Sequence, residues 1–207
     1  MTYEELISKL RQRQALIVHF SHHACMRDGG IFPADLHAAA LNSRLWALSC
    51  CLVWPSHSMS LPGSIGLVLH PRCLASIVSV KASDSGSLTN PNGEEDGLGE
   101  PLDQSSFDRS FDVEAGAYNE WRVKESDVIG VYFEGDGREL YAKKYISHED
   151  PETGMPIAID IGIKIIPLAE VHESFPDLPV YTRIDGKIMA TNIPGSVIYP
   201  WSLTGHF

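Results

Sequence analysis

The stretch Tyr118-Asn119-Glu120-Trp121-Arg122-Val123, followed by the run Val128-Ile129-Gly130-Val131-Tyr132-Phe133, decides how this chain is interpreted. Its β-branched and aromatic residues predict extended, largely buried chain. Glu120 stands at the mouth of the first predicted strand. A carboxylate set among aromatic side chains is partly desolvated, which suits it to hydrogen bonding or proton transfer. Glu120 is therefore the first candidate for a functional residue.

Two apolar runs precede this stretch and carry further candidates. The run Leu16-Ile17-Val18-His19-Phe20-Ser21 predicts a strand that ends in a histidine and a hydroxyl group. A second strand is predicted over 45–54, where Ser49 lies near the centre of an apolar run that stops at Pro55. Both strands lie well before Glu120 in the chain.

A histidine on the first strand, a hydroxyl on the second and a downstream Asn119-Glu120-Trp121 resemble the pattern of the ADP-ribosyltransferases. The nearest branches are the poly(ADP-ribose) polymerase-like and the bacterial toxin-like enzymes, and the resemblance covers about residues 16–135. It implies NAD as a substrate and a transferase that acts as a bacterial toxin, effector or defence enzyme. Such an enzyme would have a cognate antitoxin or immunity protein as a partner.

The resemblance also implies roles for single residues. Glu120 would be catalytic: it would hold a ribose hydroxyl and stabilise the oxocarbenium-like state as nicotinamide leaves. His19 would bind the adenine-side ribose, and Ser49 would line the nicotinamide pocket. The full NAD-binding set is His19, Ser21, Ser49, Tyr118 and Asn119, and no metal ligand is assigned. Phe20 departs from the family pattern, which has a glycine that lets the ligand approach the backbone.

Composition limits the class of partner. The chain has 207 residues, of which 43% are hydrophobic and 21% charged, as in ordinary soluble globular proteins. Its net charge of −11 repels phosphate backbones, so a protein or small-molecule acceptor is favoured over nucleic acid. No apolar run is long enough to cross a bilayer, and the N-terminus lacks signal-peptide features. We therefore expect no membrane partner, and either a cytoplasmic protein or one delivered into a target cell without a signal peptide.

The predicted fold class is α+β, with a mixed, mainly antiparallel sheet and a few short helices. Residues 1–135 would form the transferase-like core, and 136–207 a β-rich C-terminal extension packed on the same domain. The predicted helices are 2–14, capped by Thr2, and 36–41. The predicted strands are 15–20, 45–54, 65–70, 74–80, 128–134, 139–146, 157–166 and 179–184, with hairpin turns at Gly135-Asp136-Gly137 and Asp185-Gly186-Lys187.

A long polar segment over 81–114 interrupts this pattern. It is rich in Gly, Ser, Asp and Glu and has almost no apolar periodicity, so residues 83–112 are expected to be poorly ordered or only lightly packed. The alternative is a loop that faces the substrate, because the segment leads directly into Tyr118.

Three other functions remain open from the sequence. A metal site could use His19, His22 or His23, since imidazole is a common ligand. A Cys-His hydrolase could use Cys50 or Cys51 with His19, although buried cysteines are usually inert. The third alternative is a non-catalytic, β-rich interaction module that uses its acidic surface and long loop to bind another protein.

Overall fold

The computed structural model describes residues 1–21, 32–58, 61–82, 99–112, 118–134, 139–149 and 156–191. The helices in these ranges are α1 (Tyr3–Arg13), α2 (Ala34–Asn42), α3 (Gln104–Arg109) and α4 (Leu168–Ser174). The strands are β1 (Leu16–Phe20), β2 (Leu48–Val53), β3 (Ile65–Pro71), β4 (Ile77–Lys81), β5 (Glu120–Val123), β6 (Ser126–Phe133), β7 (Glu139–Glu149), β8 (Pro156–Ile165), β9 (Val180–Ile184) and β10 (Lys187–Ala190).

Eight of these strands form one sheet in the order β10-β9-β6-β3-β1-β2-β5-β4. Its pairs are antiparallel except for β6 and β9, which run parallel. The predicted α+β class with a mainly antiparallel sheet is confirmed. Two strands of the C-terminal third, β9 and β10, lie in the same sheet as the N-terminal strands, whereas β7 and β8 pair only with each other.

Helix α1 begins where the sequence predicts. The Thr2 hydroxyl accepts from the Glu5 amide at 3.2 Å, and the Glu5 carboxylate accepts from the Thr2 amide at 2.7 Å. This reciprocal cap satisfies two amide groups that have no partner within the helix. Leu6 and Leu10 are fully buried, so the apolar face of α1 packs on the core as expected.

Strand β1 lies at the centre of the sheet and changes partner along its length. Residues 16–18 pair with β2, and residues 18–20 pair with β3. The approach of β3 is close: a Cβ at Gly66 would lie 2.5 Å from Val18 Cγ1 and 2.6 Å from the His19 carbonyl oxygen. Only glycine permits that contact. On the other side of β1, the pairing with β2 ends at Val18, one residue before His19.

The start of β2 differs from the prediction of a strand over 45–54. The amides of Leu45 and Trp46 both donate to the Asn42 carbonyl, which extends the turn that ends α2. These two side chains are 73% and 66% exposed, so β2 begins only at Leu48. An apolar run was mistaken for a buried strand because periodicity alone does not show where burial begins.

The polar segment contains structure that the sequence reasoning missed. Residues 83–98 lie outside the described residues, but 99–112 carry α3, whose N-cap Asp103 accepts from the Ser106 amide at 2.8 Å. Phe107 is 1% exposed, and its ring packs edge-on against the ring of Trp121 with centroids 6.2 Å apart. Most side chains of 99–112 are exposed, in keeping with the expected light packing, but Ser106, Phe107 and Ser110 are buried. A single aromatic side chain thus anchors a helix too short to show periodicity.

The C-terminal region follows the prediction in part. Asp185 and Gly186 have φ of 48° and 69°, the left-handed pair that a tight β-hairpin turn needs, and they join β9 to β10. The predicted turn at Gly135-Asp136-Gly137 lies outside the described residues. Helix α4 was not predicted. Among the described residues, no helix has the length and apolar character to span a bilayer.

Candidate functional site

Three of the predicted site residues lie on adjacent strands, with His19 on β1, Ser49 on β2 and Glu120 at the start of β5. The Ser49 hydroxyl donates to Glu120 Oε1 at 2.9 Å, and His19 Nδ1 lies 2.7 Å from the Ser49 carbonyl oxygen. Because both Ser49 oxygens belong to one residue, His19 Nδ1 and Glu120 Oε1 lie within roughly 10 Å of each other. The three strands that carry these residues are neighbours, in the order β1-β2-β5.

Glu120 and Ser49 share one side of the β2–β5 pair. Ser49 is opposite Arg122 and Cys50 is opposite Trp121, so alternation puts Ser49, Glu120 and Arg122 on one side and Cys50 and Trp121 on the other. The first three side chains are half-buried, and the last two are buried. The carboxylate of Glu120 therefore lies on the more open side of this part of the sheet.

His19 contacts Ser49 through the main chain of that residue. It lies one residue past the ladder between β1 and β2, and its ring contacts the main chain of Ser49 rather than the Ser49 hydroxyl. A carbonyl oxygen only accepts, so Nδ1 carries the hydrogen in this contact. The imidazole ring thus links β1 to β2 just beyond the last main-chain pair. His19 thereby fixes the peptide that carries Ser49.

Asn119 holds the start of β5 in place. Its Oδ1 accepts from the Leu52 amide at 2.7 Å, and its Nδ2 donates to the carbonyl oxygens of Leu52 at 3.4 Å and Ser110 at 3.0 Å. The side chain is fully buried. These contacts use the amide within the protein, so the geometry assigns Asn119 to positioning Glu120 rather than to contact with a ligand.

The remaining members of the predicted set make structural contacts. The Ser21 hydroxyl donates to Asp35 on α2, and its amide donates to the Ile65 carbonyl at 2.9 Å. Tyr118 is half-buried against the core. Phe20, which replaces the family glycine, packs edge-on against Tyr132 with ring centroids 6.0 Å apart. Among the described residues, His19, Ser49, Asn119 and Glu120 lie together where β1, β2 and β5 meet.

The alternative chemistries gain little from the geometry. Burial, with smaller effects from Cys51 and Glu120, raises the pKa of the Cys50 thiol well above its usual value, which disfavours the thiolate a Cys-His hydrolase needs. Within the described ranges, no three His, Cys, Asp or Glu side chains form a group that could hold a metal ion. His22 and His23 lie outside those ranges.

Two polar groups were missed by sequence reasoning. The first joins Tyr132, Glu134 and Arg183 across β6 and β9, where the Arg183 guanidinium lies 2.6 Å from Glu134 Oε1 and the Tyr132 hydroxyl donates to Oε2. The i, i+2 spacing of Tyr132 and Glu134 in a strand puts them on one face and was the available signal. The second group surrounds Asp127, at the other end of β6.

Comparison with known proteins adds no relative. No family model matches this chain, and neither the curated proteins nor the solved structures contain a significant match to it.

Proposed function

We propose that this chain is an NAD-dependent ADP-ribosyltransferase in which Glu120 is the catalytic carboxylate. The observation that supports this most is the Ser49–Glu120 hydrogen bond on the more open side of adjacent strands. The residue types and their order along the chain are those that the resemblance implies, and the strands that carry them are neighbours. NAD is the substrate, and a protein or a small molecule is the acceptor.

The chemistry assigns a task to each oxygen of Glu120. Ser49 donates to Oε1 and fixes the carboxylate, while Oε2 has no partner among the described residues and can accept from a ribose hydroxyl. The bond between nicotinamide nitrogen and ribose C1 breaks, and nicotinamide leaves with the electron pair. Positive charge develops on the sugar beside the carboxylate, which stabilises it. A nucleophile of the acceptor then forms a bond to C1 and loses its proton.

The direct test is NAD turnover by the purified protein, measured as nicotinamide release and as transfer of label from adenine-labelled NAD to lysate proteins. Glu120→Gln keeps the volume and one acceptor oxygen but removes the charge. We expect it to lower turnover by about 10²–10³-fold while the free energy of unfolding hardly changes. The matched control is Glu173→Gln, which neutralises an exposed carboxylate on α4 and should leave turnover unchanged. Wild-type turnover in Glu120→Gln, or no nicotinamide release by the wild type, would overturn the proposal.

His19→Ala tests the positioning role. The change removes the ring that holds the Ser49 carbonyl, so the peptide that carries the Ser49 hydroxyl is held less firmly, while Glu120 keeps its charge. We expect a higher KM for NAD and a kcat loss smaller than that of Glu120→Gln, because the charge that stabilises the transition state is kept. Steady-state kinetics at several NAD concentrations separates the two. Equal kcat losses in both variants would contradict this division of roles.

A second candidate function has one observation in its favour. Leu41, Leu45 and Trp46 are 79%, 73% and 66% exposed, and they lie close together in the chain at the end of α2. Exposed large apolar side chains in a cluster mark contact surfaces more often than isolated ones do. A non-catalytic interaction module would use this surface. Such a module would bind a partner without consuming NAD, so the turnover assay separates the two functions.

A further inference from the structure

A cavity of about 780 Å³ lies away from Ser49 and Glu120, at the beginning of β6 and the end of β3. Its volume falls in the range of small-molecule sites. Its polar lining comes from four separate segments of the chain: Tyr3, Arg44, His70, Arg72 and Asp127. Charged and aromatic side chains from distant parts of the chain thus converge on one cavity.

The two arginines share a single carboxylate. Arg72 donates to Asp127 through Nε at 3.0 Å and Nη2 at 2.7 Å, and Arg44 donates through Nη2 at 2.9 Å. These bonds use only three of the N–H donors that two guanidinium groups present. The arginine hydrogen bonds hold the pKa of Asp127 below its usual value, with that of Arg72 the largest cause. Two cations on one anion leave a surplus positive charge in a chain whose net charge is −11.

The other cavity walls are neutral or apolar. Burial lowers the pKa of His70, which favours the neutral ring. The Tyr3 hydroxyl donates to the Pro71 carbonyl at 2.6 Å and lies 3.5 Å from His70 Nδ1. Val128 and Ile129 supply the apolar wall. A ligand that fits would carry its charge at one end and an apolar body at the other.

We propose that this cavity binds a small molecule with one oxyanion head, a carboxylate or a phosphate, on an apolar or aromatic body. Planar guanidinium groups match both heads through paired hydrogen bonds. Asp127 accepts from both guanidinium groups that would bind the head and therefore competes with the ligand. This site shares no residue with the Ser49–Glu120 pair and does not depend on NAD chemistry.

Calorimetric titration of the full chain, without NAD, tests the site. The probes are phenyl phosphate and benzoate, compared with inorganic phosphate as a head without a body. We expect Arg72→Gln and Arg44→Gln to weaken binding of the better organic probe by about tenfold or more, the loss of one charged hydrogen bond. The matched control is Arg109→Gln, an exposed arginine paired with Glu100, which should bind as the wild type does.

Asp127→Asn gives the sharper outcome, because it releases both arginines. We expect it to bind the organic probe more tightly than the wild type, whereas a purely structural Asp127 would make binding weaker or leave it unchanged. Which organic probe binds more tightly identifies the head as a phosphate or a carboxylate. Failure of both probes to bind at millimolar concentration, or equal weakening by Arg109→Gln, would overturn the proposal. If inorganic phosphate bound as tightly as phenyl phosphate, the part of the proposal that gives the ligand an apolar body would be overturned.

Discussion

Glu120 and Glu134 are two carboxylates of one sheet, and each accepts a hydrogen bond from a neighbouring hydroxyl. They differ in the second partner. Glu134 is 7% exposed and also binds Arg183, whereas Glu120 is half-buried and has Ser49 as its described partner. A carboxylate with both oxygens bound and its charge neutralised joins strands together. A carboxylate with one fixed oxygen keeps its charge for a substrate.

The Arg183 side chain, which binds the Glu134 carboxylate, contacts two other segments of the chain. The guanidinium on β9 donates to Glu134 beside the end of β6 and to the carbonyl of His57 in the segment after β2. Its side chain is 22% exposed, and that of Glu134 is 9% exposed. The Arg183 side chain thus links β9 both to the end of β6 and to the segment after β2.

The largest expected effect concerns Glu134. Replacing it with Ala leaves the largely buried Arg183 without its carboxylate, so the free energy of unfolding should fall by about 3 kcal/mol. Glu120→Ala removes one hydrogen bond at a half-buried position and should cost about 1 kcal/mol or less. Urea denaturation of both variants measures the difference. Equal losses would remove the distinction between the two carboxylates.

The second-largest expected loss of stability is that of Asn119→Ala. It leaves the Leu52 amide and the Ser110 carbonyl without their partners in a fully buried place, which should lower the free energy of unfolding by about 2 kcal/mol. Asn42→Ala, at an exposed position that ends α2, should stay within about 0.5 kcal/mol of the wild type. An Asn119→Ala protein of unchanged stability but raised KM for NAD would restore the ligand-binding role that the sequence predicts for this residue.

The N-terminal elements were the most predictable part of the fold. Helix α1 shows its cap, its charge order and its apolar face in the sequence, and β1 and β3 are mostly apolar runs that end near polar or turn residues. The start of β2 and helix α3 were not predictable in the same way. Leu45 and Trp46 are apolar but exposed, and α3 depends on tertiary contacts of Phe107. Local pattern gives the type of an element but not which side chains find a partner.

The candidate site, like the fold, has features that the sequence predicts and features that it does not. Residue type and order were enough to bring His19, Ser49 and Glu120 to neighbouring strands. The roles of Ser21 and Asn119 could not be derived, because they depend on Asp35 and on the main chain of Leu52. Neither partner is close in sequence. The Arg44–Asp127–Arg72 group was missed for the same reason, since its members come from three separate elements.

The smallest expected effect is that of Ser49→Ala. Loss of the hydroxyl frees Glu120 Oε1 from its partner but leaves the negative charge, so turnover of NAD should fall by about tenfold, the worth of one hydrogen bond to a charged group. Stability should hardly change, because both side chains are half-buried and water can replace the bond. Ser49→Thr keeps a hydroxyl on a residue suited to strands and should restore most of the turnover. Ser174→Ala, which removes a hydroxyl bonded within α4, is the control and should act as the wild type does. If Ser49→Thr were as slow as Ser49→Ala, the hydroxyl would not be the group that orients Glu120, and the contrast with Glu134 would rest on burial and on the Arg183 ion pair alone.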